Sequence, residues 1–140
     1  MDTQTFSYYQ RARKAGYDPR NALYVARTIR RWDAMDNDVR IVAYPEEESY
    51  FAVYGKEDTP ERQKEMERIL DSLGCWYVVG EIKNPDTDEW ENIDGVGMCA
   101  GYEQPCDPYE NAYVADIMNA VMDEVARREL AAFDAIPEAA

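Results

Sequence analysis

Glu46, Glu47 and Glu48 form an unbroken run, and Asp86, Asp88, Glu89 and Glu91 crowd a second short stretch. Carboxylates at this density can hold a hard cation, exchange protons as general acid and base, or present fixed negative charge to a basic partner. The first use finds little support. Asn84, Asp86 and Asp88 match positions 1, 3 and 5 of a calcium loop, but Glu89 stands where glycine is needed and Gly95 where a bidentate glutamate is needed. Asp33, Asp36 and Asp38 also cluster, between a helix end and a strand start, where short acids commonly cap and turn the chain. No metal is expected at either place.

The second use fares no better. The chain has no histidine, which removes imidazole as base, proton shuttle and metal ligand, and with it every histidine-dependent triad and zinc motif. Asp116, Asp123 and Glu124 sit on a helical pattern, where spacing does not separate them from an ordinary polar face. Cys75, Cys99 and Cys106 are an odd number without a CxxC, so they read as reduced thiols with nothing to activate them. Gly95-x-Gly97 continues as Met-Cys-Ala-Gly, without the lysine or the glycine spacing of a phosphate loop. No catalytic residue and no cofactor is expected, and the chain reads as a non-enzyme.

Fixed charge remains. The 140 residues carry 29 Asp and Glu against 15 Lys and Arg, a formal net charge of −14, yet 46% hydrophobic content is too rich for a disordered acidic tail. Residues 1–40 hold 8 basic and 5 acidic side chains, whereas residues 41–140 hold 7 and 24, balances of +3 and −17. Carboxylates two residues apart on a strand lie about 6.6 Å apart, close to two of the roughly 3.4 Å steps between phosphates along a DNA strand. An acidic folded surface can imitate a phosphate backbone. Solubility alone would account for a net charge of magnitude about 2 to 8, and this chain far exceeds it. Glu46, Glu47, Glu48, Asp86, Asp88, Glu89 and Glu91 are therefore the candidate partner-binding residues, with a nucleic-acid-binding protein as partner.

The basic N-terminal segment supports a rival. Residues 11–27 read as helix, short turn and helix, the spacing of a helix-turn-helix. Arg20, Arg27 and Arg31 fall within about 40° of one another at 100° per residue, with Tyr24 beside them. Together with Arg11 and Lys14 they would serve a nucleic-acid-binding regulator. The simpler expectation is a solvated face, or arginines that pair with the chain's own carboxylates, because the whole-molecule field repels phosphate. Direct nucleic-acid binding is thus the lesser reading.

The elements that must hold these residues follow from punctuation. Asp18-Pro19, Thr59-Pro60 and Asp107-Pro108 each give an N-cap followed by proline at the first helical position. Helices are expected over about 4–15, from Pro19 to about Ala34, from Pro60 to Leu73, and from Pro108 to about Phe133. Tyr109, Tyr113, Ile117, Val121 and Val125 recur every four residues as the core stripe of the last one, widened by Val114, Met118 and Met122. Strand patterns at Val39–Tyr44 and Ser49–Tyr54 flank the three glutamates, and those at Cys75–Lys83 and Trp90–Val96 flank the second acidic run. The expectation is one α+β domain over 1–140, with a small antiparallel sheet of two hairpins, about four strands and about four helices, in the order ααββαββα. Both acidic runs would then be hairpin tips. Residues 134–140 read as a frayed tail, and neither a signal peptide nor a membrane span is visible.

Three runs carry a resemblance. Ala12-x-Lys14-Ala15-Gly16-Tyr17-Asp18-Pro19-Arg20-Asn21-Ala22-Leu23-Tyr24-Val25-Ala26-Arg27, Gly74-Cys75-Trp76-Tyr77-Val78-Val79-Gly80-Glu81, and Tyr109-Glu110-Asn111-Ala112-Tyr113-Val114-Ala115-Asp116-Ile117-Met118 resemble small uncharacterised phage and prophage proteins over most of residues 10–120. The resemblance implies a mobile-element origin and work in a host bacterial cytoplasm. It transfers no catalytic residue. Small acidic phage proteins include anti-CRISPR and anti-restriction inhibitors, which occupy the basic channels of host defence complexes.

Overall fold

A broad apolar stripe at helical spacing must be buried on something, and in this chain it is buried on a sheet. In the computed structural model, which describes residues 1–136, helix α5 (Ala112–Asp134) lies across strands β1 (Val39–Pro45), β2 (Cys75–Lys83) and β3 (Trp90–Ala100). The sheet is antiparallel throughout, in the order β1-β2-β3. On its other side α5 meets α2 (Pro19–Asp33), which packs along α1 (Thr3–Lys14). The core lies between these layers: Val25 and Ile29 from α2, Val78 and Ile82 from β2, and Val114, Ile117, Met118, Val121, Met122 and Val125 from α5 are all buried. A Cβ on Gly80 would meet Val121 and Ile117 at 2.5 and 2.7 Å, so the missing side chain is what lets α5 settle onto the central strand.

The α+β class and the helical sheet cover stand as read, but the sheet has three strands, not four. Ser49–Tyr54, expected as a strand, contains the short helix α3 (Tyr50–Tyr54), followed by α4 (Pro60–Leu73), so the described order is ααβααββα. Local side-chain packing accounts for the difference. Tyr50 and Tyr54, four residues apart, bring their rings to 4.9 Å, a contact that a helical turn makes and an extended strand cannot. β1 instead finds its partner in β2, beyond both helices, with Val39 opposite Ile82 and Pro45 opposite Trp76. The second hairpin is present, and β3 runs to Ala100 rather than Val96. Its 11 residues face the 9 of β2 because the register shifts twice, between Trp76 and Val78 and between Gly80 and Glu81.

Two of the three expected caps form. The carboxylate of Asp18 accepts from Asn21 N–H at 2.8 Å and the hydroxyl of Thr59 from Arg62 N–H at 3.2 Å. Asp107 instead accepts from Tyr109 N–H at 2.8 Å in a tight turn, and α5 begins only at Ala112, behind its own cap, Asn111. Tyr109, expected in the stripe, accordingly lies before the helix and Tyr113 is 52% exposed, while Ile117, Val121 and Val125 are buried as expected. Of the expected tail, Asp134 is the last residue of α5, and residues 137–140 lie outside the described residues.

Candidate functional site

The two acidic runs occupy opposite ends of the sheet. Glu46 follows Pro45 at the Trp76 end of β2, and the β2–β3 turn carrying Asp86, Asp88 and Glu89 leaves from Lys83. Seven residues at about 3.3 Å each separate those ends, a span of about 23 Å. Only the second run is a hairpin tip. The first is the exit of β1 toward α3, because the strand expected to close that hairpin is helical.

Their carboxylates divide into those held by the fold and those left free. Glu46 Oε2 accepts from Met98 N–H at 2.9 Å, where Met98 takes a positive φ of 55° in the irregular part of β3. Asp88 pairs with Lys83 at 3.0 Å. Glu91 is bound by Arg128 at 2.7 Å and accepts from Asn84, contacts that draw its carboxyl below the ordinary range. Glu47, Glu48, Asp86 and Glu89 are exposed and form no ion pair among the described residues. Asn84 Oδ1 caps the turn by accepting from the N–H groups of Asp86 and Thr87, which explains the calcium-like spacing as turn chemistry.

The side of the sheet turned away from Ile117 and Val121 carries a cluster that the sequence did not advertise. Glu81 accepts from Arg40 Nε at 2.8 Å and from the Tyr44 hydroxyl at 3.2 Å, and its side chain is only 8% exposed. Arg40 in turn stacks on Trp90, 4.0 Å from the ring centroid. A Cβ on Gly95 would meet the Tyr77 hydroxyl at 2.8 Å, so the Gly95-x-Gly97 pair seats an aromatic ring. Alternation placed Arg40 and Glu81 on strands, but only their cross-strand register reveals the pair.

The basic stripe of α2 is real and is not neutralised. Among the described residues Arg20, Arg27 and Arg31 are exposed and form no ion pair, as a solvated face would have them and contrary to pairing with the chain's own carboxylates; the paired arginines lie elsewhere, as in Arg62–Asp58, Arg68–Glu65 and Arg127–Glu124. The three arginines border a groove of about 400 Å³ between α2 and α5 with Tyr24, Thr28 and Asn119. Asn119 donates to Tyr24 at 2.9 Å and to Thr28 at 2.8 Å, and its carbonyl oxygen accepts from Arg31 at 3.3 Å. The Tyr24 hydroxyl donates to Asp116 at 2.6 Å. Burial and that carboxylate, with Asp123 beyond it, raise the phenol above its ordinary range and keep it protonated at neutral pH.

The thiols are poor nucleophiles. Burial raises the pKa of Cys75, Cys99 and Cys106 alike, with neighbouring Glu46 adding to the effect on Cys75 and Cys99. The Tyr109-Glu110-Asn111 run organises the loop before α5. Glu110 accepts from Glu103 and Gln104 N–H, and Asn111, fully buried, donates to Pro105 and caps Tyr113. No helix among the described residues is long and apolar enough to cross a membrane. No protein-family model, curated protein or solved structure matches this chain.

Proposed function

We propose that this protein is a non-enzymatic inhibitor of phage type, whose acidic surface occupies the nucleic-acid channel of a host defence complex in the bacterial cytoplasm. The observation that carries the reading is the excess of 17 negative charges in residues 41–140 of a folded chain. Glu81 is the one buried carboxylate among the described residues, and Glu47, Glu48, Asp86 and Glu89 are exposed. Carboxylates on short loops anchored to a sheet lose less conformational entropy on meeting a basic channel than those of a flexible acidic tail.

Glu47, Glu48, Asp86 and Glu89 are the contacts this reading needs, at the two ends of a sheet about 23 Å long. Glu46, Asp88 and Glu91 hold the loops that present them. The test is affinity capture from a bacterial lysate carrying defence systems, at about 50 and 200 mM salt, with wild type beside Glu47→Lys/Glu48→Lys and Asp86→Lys/Glu89→Lys. Wild type should retain a defence subunit at low salt and release it at high salt, because screening weakens charges at an interface rim. Both variants should fail to capture it while keeping the wild-type circular dichroism spectrum, since exposed loop charges contribute little to stability. Capture that is indifferent to salt and to both variants overturns the proposal, as does a lysate that yields no nucleic-acid enzyme or defence subunit.

A further inference from the structure

We infer that the groove between α2 and α5 binds a short stretch of single-stranded nucleic acid, with Arg20, Arg27 and Arg31 on its phosphates and Tyr24 against a base. Three observations converge there. The arginines are the first. They occupy one face of α2 over eleven residues, about 16 Å at 1.5 Å per residue, and no carboxylate of the described chain ion-pairs with any of them. Lys56 and Lys64 also lack an ion pair among the described residues, and what sets the three arginines apart is that they share one helix face and border one groove.

The second observation is shape. Thr28 and Asn119 line the groove with the arginines, and its volume of about 400 Å³ falls within the range of small-ligand sites. A helix that reads duplex DNA must enter the major groove as a convex ridge, whereas α2 shares its basic side with α5. The third is the aromatic side chain. Tyr24 is 42% exposed in the middle of the stripe, and its hydroxyl is fixed by Asp116 and Asn119, so the ring is oriented before any ligand arrives. Cations that track a backbone, interleaved with an aromatic that stacks a base, are the composition of single-strand sites.

The molecule's net negative charge restricts this binding to the groove. At about 0.1 M salt the Debye length is about 10 Å, so carboxylates on the far sheet are screened while guanidinium groups in contact with phosphate are not. Asp116 and Asp123 on α5 also face Tyr24. They disfavour additional phosphates on that wall and keep the strand on the α2 side.

The experiment is fluorescence anisotropy of labelled 12-nucleotide DNA and RNA strands, and of the corresponding DNA duplex, titrated with the full chain from about 50 to 200 mM NaCl. Three phosphate contacts on a single strand give a logarithmic salt slope of about −2.1, an affinity loss of about 18-fold over that range. Arg27→Gln should reduce the loss to about 7-fold, the value for two contacts. Tyr24→Ala should weaken binding at least about fivefold at fixed salt, while Tyr24→Phe, which keeps the ring, retains it. Lys56→Gln/Lys64→Gln removes two exposed, unpaired cations outside the groove and should leave the slope unchanged. Circular dichroism confirms that each variant is folded. No anisotropy change at 50 mM salt overturns the proposal. So does a slope that Arg27→Gln does not move or that the lysine variant moves equally, and so does a duplex bound as tightly as the single strand.

Discussion

A methyl group on Gly80 would lie 2.5 Å from Val121 Cγ2 and 2.7 Å from Ile117 Cγ2, inside any tolerable contact. Gly80→Ala is therefore expected to cost about 1–3 kcal/mol in urea unfolding, the range for overpacking a filled core. Ile117→Ala opens a cavity on the same spot and is expected to cost about 2–5 kcal/mol. Because Ile117→Ala removes one of the two methyl groups that a Cβ on Gly80 would strike, the double variant should cost less than the two single losses added together. Strict additivity, or a loss below about 0.5 kcal/mol for Ile117→Ala, would mean that α5 does not rest on the central strand. Asn111 gives a third test. Its carboxamide serves both Pro105 and Tyr113 while fully buried, so Asn111→Ala should cost more than Asp107→Ala, whose carboxylate holds only a turn.

At the scale of elements, α5 is tied to β3 at its far end by Glu124, Arg127, Arg128 and Glu91. Hydrogen bonds from Arg127 and then Arg128 draw the Glu124 carboxyl down to about 2 from its ordinary 4.5. A carboxylate whose pKa is depressed in the folded state stabilises fully above the unfolded value and loses that contribution as pH falls toward the folded one. Stability differences between wild type and Glu124→Gln, followed by thermal melting, should thus be largest near neutral pH and shrink between pH 4.5 and about 2. A difference constant across that window would mean that the ion pairs contribute nothing. The elements themselves were legible where local chemistry decides them. Asp18-Pro19 and Thr59-Pro60 announced helices that start there, and Cys75–Lys83 and Trp90 onward announced a hairpin. Asp107-Pro108 gave the same signal and a different outcome, because Tyr17 donates to Pro108 O and Asn111 to Pro105 O, long-range and loop contacts that no local pattern encodes. Ser49–Tyr54 failed for the opposite reason. Its aromatic and β-branched composition suits a strand, but the neighbour it needed was taken by β2, more than thirty residues from the start of β1. The acidic runs were visible as composition, whereas their placement at opposite ends of the sheet, the Glu81–Arg40 pair and the Asn119 contacts of the groove depend on register and on packing between distant helices.

Over the whole molecule, a net charge of −14 on a domain of 140 residues implies self-repulsion that salt relieves. The thermal midpoint should rise as NaCl goes from about 50 to 500 mM, where the Debye length becomes a few ångströms. A midpoint that falls instead would show that attractive pairs such as Arg128–Glu91 outweigh the repulsion. The central position of α5 has a consequence for synthesis. The α1–α2 pair and the three strands each leave apolar surface that α5 covers, and α5 follows all of them in the chain. As the polypeptide leaves the ribosome, Val25 and Ile29 on one side and Val78 and Ile82 on the other stay without their partner until Ala112–Asp134 has emerged. A nascent chain halted near residue 111 is thus a substrate for chaperones and proteases rather than a partly working protein, and both candidate surfaces wait on the arrival of one helix.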